Sequence, residues 1–165
     1  MQFRRSDYDV TNTVQVSSVA SVRKAVEELF QQTWPAANSE RLTTAFADFE
    51  RLFCGQFPGY LGCDTVYHDM QHSLDDTLAM ARLLAGYERT HAPEQRLGAD
   101  RALLGIIVGL FHDSGYIRQS DDHQHRNGAE FTLTHVGRSA QFLARYLPTI
   151  GLAAWVPVAT QIVHF

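Results

Sequence analysis

Eight histidines are spread over this chain of 165 residues, at His68, His72, His91, His112, His123, His125, His135 and His164. Imidazole is the commonest metal ligand and titrates near neutrality, so such a set points to metal or proton-transfer chemistry. His112-Asp113 follows the apolar run LLGIIVGLF in the string Gly109-Leu110-Phe111-His112-Asp113-Ser114-Gly115-Tyr116. A carboxylate buried without a partner is expensive, and a divalent cation would satisfy both side chains of the pair. His68 and His72 stand four apart at the start of a helical stretch, a spacing that projects both from one face. Asp69, Met70 and Gln71 between them differ from the HExxH arrangement of zincins. Asp76, four residues beyond His72, is placed to orient the other nitrogen of that ring.

His135 shares a helical stripe with Phe131, Phe142 and Tyr146 and reads as directed into the core. His164 has a similar place among Val158, Ile162 and Phe165. His123 and His125 belong to a polar loop and read as solvated, and His91 lies in a linker. Arg118 and Arg138 are close to these residues in sequence, and a guanidinium can hold a phosphate through paired hydrogen bonds. Each feature alone also has an ordinary reading, as a core histidine, a solvated helix start or a surface charge. Together, four helices each offer a histidine, which is how helical bundles build metal sites.

The elements that must position these residues are helices. Three- and four-residue apolar spacing predicts helices over 17–33, 39–53, 70–87, 100–113 and 129–147, with a last one starting near Pro157. Ser39 is the expected N-cap of the second, and Pro148 the expected stop of the fifth. The glycine- and proline-bearing segment 54–62 and the polar stretch 114–127 read as loops. Gly105 and Gly109 precede His112 on nearly its own face, where small residues let a neighbouring helix approach. No segment alternates with period two, so the expected fold is all-α, one helical bundle of about six helices forming a single domain over residues 1–165.

Composition narrows the classes. Hydrophobic residues make up 45% and charged residues 19%, which excludes a disordered chain. With 14 basic and 18 acidic residues the net charge is -4, so no nucleic-acid polymer is expected as a partner. No apolar run reaches the roughly 18 to 20 residues that span a bilayer, and the N-terminus lacks a secretory apolar region. Cys54 and Cys63 form neither a CxxC pair nor a disulfide framework and read as reduced packing thiols. A cytoplasmic location is the expectation.

The order His72, then His112-Asp113, on successive helices resembles the HD-domain superfamily of metal-dependent phosphohydrolases. The likeness runs from about Tyr67 to the end of the chain, with residues 1–60 outside it. Tyr67-His68 with His72 is similar to the opening motif of the cyclic-nucleotide phosphodiesterase branch, although Asp69 stands where that branch has asparagine. The resemblance implies that His68 protonates the leaving group and His72 binds metal. His135 and His164 are similar to the further ligands of branches that hold two metals, among them cyclic-dinucleotide phosphodiesterases and di-iron oxygenases. It then implies Asp113 between two cations, with His72 and His112 on one and His135 and His164 on the other.

The implied activity is hydrolysis of a small, nucleotide-like phosphate ester by metal-activated water, with one or two divalent ions (Mn, Mg, Fe, Zn or Ni). Arg118 and Arg138 are the candidates to hold the substrate phosphate. A homodimer is compatible with the pattern. A di-iron oxygenase on the same ligands and a non-catalytic HD regulatory module are the alternatives. The family's later aspartate ligand has no counterpart after Asp122. Either it lies beyond Phe165, where the uncapped apolar end suggests that the chain continues, or the site is incomplete and inactive.

Overall fold

Helix formation follows the apolar spacing and the residues that close each end. In the computed structural model, which describes residues 6–164, six α-helices make the architecture. These are α1 (Val19–Thr33), α2 (Glu40–Phe53), α3 (Met70–Thr90), α4 (Ala99–Phe111), α5 (His135–Thr149) and α6 (Val156–Val163). Short 3₁₀ turns occupy Ser114–Tyr116 and Gly128–Phe131, on either side of the polar loop. Among the described residues there is no β-strand, only isolated bridges between Tyr8 and Gln15 and between Tyr60 and Gln119. The expected all-α bundle is the fold observed, while Phe165 and the first five residues lie outside the described residues.

One continuous core joins the N-terminal helices to those bearing the motifs. It contains Val22, Val26 and Phe30 of α1, Phe46 and Phe49 of α2, Leu74 and Leu78 of α3, and Phe142, Leu143 and Leu147 of α5. Residues 1–60 thus include helices that cover the motif region: α1 packs on α3 and α2 on α4. Helix α4 is buried without interruption from Ala102 to Phe111, which is why its sequence is apolar on every face. Its glycine face lies on α3. A Cβ built at Gly109 would sit 3.6 Å from Met80 Cβ and 3.7 Å from Thr77 Cα. This close approach brings the start of α3 beside the end of α4.

Three local expectations need correction. Ser39 occupies the N-cap position of α2, but its hydroxyl caps nothing. The Asn38 carboxamide accepts from the Glu40 N–H instead, at 2.7 Å. The fifth helix begins at His135 rather than Ala129. The Thr132 hydroxyl donates to Ala129 O and the His135 ring donates to Thr132 O, taking up carbonyls that a continuous helix would use. Pro148 lies within the last turn of α5, not after it. The stop is a left-handed Gly151 (φ 75°), with Leu152 N–H on Leu147 O and Gly151 N–H on Pro148 O.

Candidate metal centre

Asp69 sets the start of α3. Its backbone is extended, and its carboxylate accepts from the His72 N–H at 2.8 Å, the pattern of an N-cap. His72 is thereby fixed in the first turn and His68 immediately before the helix. Thr65 Oγ1 donates to the His68 carbonyl at 2.6 Å and holds that backbone in place. At the other side, His112 ends α4. Its Nδ1 donates to Gly109 O at 2.8 Å, which leaves Nε2 as the nitrogen that faces the carboxylates.

Asp113 lies at the junction. Only 2% of it is exposed. Its Oδ2 accepts from His68 Nδ1 at 2.7 Å and lies 3.3 Å from both His72 Nε2 and His112 Nε2. Burial pushes the Asp113 carboxyl up, but the hydrogen bonds from His112, His72 and His68 and the His112 charge outweigh it. The group is held well below the usual carboxylate range. Burial likewise pushes the His112 imidazole down, and the Asp113 hydrogen bond and charge more than reverse it, so His112 is raised.

Asp76 meets the same two imidazoles. Its Oδ2 lies 3.3 Å from His72 Nε2 and 3.5 Å from His112 Nε2. The expectation that it would orient the other nitrogen of His72 is therefore corrected, because Asp76 and Asp113 face one nitrogen between them. Two overlapping groups have all their ligand atoms within 4.8 Å of one another: His68, His72 and Asp113, and His72, Asp76 and His112. Imidazole nitrogens and carboxylate oxygens at this density are the donor set of a borderline or hard divalent cation.

The turn after Asp113 is clamped by α5. Gly115 N–H donates to Ser139 Oγ at 2.8 Å, and Arg138 donates from Nε to Gly115 O and from Nη2 to Ile117 O. Only glycine fits at 115, since a Cβ there would sit 2.0 Å from His135 O. Sequence reasoning missed this clamp. Its one trace was the Gly115 that follows the HD pair, which a close backbone approach requires.

The remaining sequence candidates fall elsewhere. His135 is half-buried and opens α5, rather than pointing into the core. Its ring stacks on Tyr116 at 4.3 Å, as does the His68 ring, and the two imidazole centroids are 6.0 Å apart. His135 borders the centre but belongs to neither ligand group. His164, at the end of α6, is exposed and also joins neither.

The two arginines expected to hold a phosphate have partners within the fold. Arg138 clamps the turn and lies 3.6 Å over the Phe131 ring. Arg118 binds Asp64 Oδ2 and the His125 carbonyl, both at 3.0 Å, tying down the polar loop. His125 is paired with Asp122 rather than simply solvated. His91 stacks on Tyr87 at 3.7 Å, and the two cysteines are free thiols.

Two clefts open on the histidine–aspartate cluster. One, of about 280 Å³, is lined by Asp9, Tyr67, His72, Asp75, Asp76 and Arg82. The other, of about 360 Å³, is mostly apolar and runs from His112 and Asp76 past Met80 and Leu83 to Ile162. No helix among the described residues is long and apolar enough to cross a membrane. Comparison of the chain with protein-family models, with curated proteins and with solved structures gave no match.

Proposed function

We propose that this chain is a metal-dependent phosphohydrolase of the HD type, cleaving a small, nucleotide-like phosphate ester. The observation that carries the reading is the environment of Asp113, a buried carboxylate on which imidazoles from two helices converge. An arrangement that serves folding alone would gain more from apolar side chains, because desolvating an ion pair offsets most of its attraction. The residues present fit a divalent ion: His72 and His112 each turn Nε2 towards Asp113, and the Gly109 carbonyl sets the tautomer of His112. When bound, such an ion supplies hydroxide at neutral pH and offsets the charge that develops on phosphoryl oxygens.

The other steps belong to side chains. His68 gives Nδ1–H to Asp113, so Nε2 is the nitrogen at which it can deliver a proton to a departing alkoxide. Tyr116 stacks on its ring at 4.3 Å and 16°, fixing the plane in which that nitrogen points. About a third of the His68 side chain is exposed, so a substrate can reach it from solvent.

The test is metal content and turnover of bis(p-nitrophenyl) phosphate and nucleotides with Mn²⁺, Mg²⁺, Fe²⁺ and Zn²⁺. The expected result is metal-dependent hydrolysis that Asp113→Ala and His112→Ala abolish together with metal binding. His68→Gln is expected to keep the metal and lose roughly 10²- to 10⁴-fold in turnover. Metal-dependent hydrolysis by Asp113→Ala would refute the proposal.

A further inference from the structure

We infer that Asp76 is itself a ligand of the cation, which it shares with His72 and His112. The inference rests on the metal-binding reading above and adds a residue which that reading does not use. Donor atoms about 2.0 to 2.2 Å from one tetrahedral divalent ion lie about 3.3 to 3.6 Å from each other. The two contacts that link Asp76 to the imidazoles have these lengths, and the ligand atoms of His72, Asp76 and His112 all lie within 4.8 Å of one another. Asp113 Oδ2 is 3.3 Å from each Nε2, and Asp76 Oδ2 is 3.3 Å from that of His72 and 3.5 Å from that of His112.

The backbone explains why these atoms meet. His72 and Asp76 are one helical turn apart on α3, and the following residues Thr77 and Met80 pack on Gly109 near the end of α4. Charge supports the same assignment. Two neutral imidazoles and one carboxylate leave a divalent ion with a residual charge of +1, and a second carboxylate brings the centre to neutrality, which burial beside Asp113 favours.

The two carboxylates are unlike in exposure. The Asp113 side chain is 3% exposed and that of Asp76 50%. Asp76 therefore stands on the solvent side of the centre, where it lines both clefts.

The experiment is titration of the full chain with Co²⁺, following affinity by calorimetry and coordination by visible absorption. Asp76→Asn is expected to weaken Co²⁺ binding about 100-fold or more, beyond the loss of a residue that merely orients a ligand, and to change the absorption band. Asp75→Asn removes the same charge from the same cleft and is expected to change affinity only a few-fold, by the screened long-range attraction alone. Asp76→Glu, which keeps the carboxylate, is expected to recover part of the loss.

Unchanged affinity and spectrum in Asp76→Asn, with binding lost in His72→Ala and Asp113→Ala, would overturn the role of Asp76 and leave the metal-binding reading intact. Equal losses in Asp75→Asn and Asp76→Asn would also overturn it, since charge alone would then account for both. A parent protein that binds no Co²⁺ would overturn both readings.

Discussion

Replacing Gly115 by alanine should separate α5 from the turn that carries Asp113. The added Cβ would lie 2.0 Å from His135 O and 2.7 Å from Ser139 N, and both are backbone atoms that no rotamer change can move. An ordinary carbon–oxygen contact requires more than a further ångström. Overpacking of this kind costs about 1 to 3 kcal/mol. The shift also loosens three hydrogen bonds: Gly115 N–H to Ser139 Oγ, Arg138 Nε to Gly115 O and Arg138 Nη2 to Ile117 O. At about 1 kcal/mol each, partly lost, they bring the expected cost to about 3 to 5 kcal/mol.

For a domain of this size that corresponds to a fall in melting temperature of about 6 to 20 °C. Gly109→Ala is the matched control, because its Cβ would meet nothing closer than 3.6 Å. It should be tolerated and can gain about 0.5 to 1 kcal/mol from reduced chain entropy in a helix interior. Thermal melts followed by circular dichroism, with Co²⁺ affinity measured on the same samples, check both variants. If Gly115→Ala melts within about 2 °C of the parent, the clamp is not what holds the turn. If Gly109→Ala is the more damaging of the two, the account of helix approach is wrong.

Three further outcomes are expected. Asp69→Ala removes the cap on the His72 N–H and should cost about 1 kcal/mol in urea unfolding, whereas Asp69→Asn, an equally good cap, should be nearly neutral. Arg138→Ala should lower the urea midpoint by the equivalent of about 2 kcal/mol, because two carbonyls lose their donor. A raised KM with an unchanged midpoint would instead return this arginine to the substrate.

Burial pushes the Asp122 carboxyl up, but hydrogen bonds from the His125 ring and from the His125 and Gln124 N–H groups bring it down to about 2. A depressed carboxylate stabilises the fold above its ordinary value and ceases to do so as pH falls through its folded one. The Asp122 contribution should therefore be lost between about pH 4 and pH 2. Carbon NMR of the Asp122 carboxyl should show a midpoint near 2 that moves up in His125→Ala; an unmoved midpoint would remove His125 as the cause.

Much of the fold was legible because apolar spacing reports directly on which face of a helix is buried. The stripes through Val22, Val26 and Phe30 and through Leu74 and Leu78 are the core faces observed. The uniformly apolar α4 is the helix buried on all sides. Local competition was harder to read. Thr132 and His135 look helical by period, yet their side chains take backbone carbonyls and interrupt the helix before it forms. Asn38 rather than Ser39 satisfies the start of α2 for the same kind of reason, since neighbouring polar side chains compete for one N–H.

For the site, the sequence by itself determined the chemistry available: His72 and the His112-Asp113 pair on successive helices, with His68 before them. Residue type and helical period suffice for that, because they set which side chains can bind a cation and which share a face. Tertiary structure decided membership. The approach of α3 to α4 at Gly109 carried Asp76 onto the two imidazoles, and the start of α5 at His135 left that ring at the border of the cluster. It also spent Arg118 and Arg138 on carbonyls and on Asp64. Distances between helices depend on how side chains from both interlock, and no single helix encodes them.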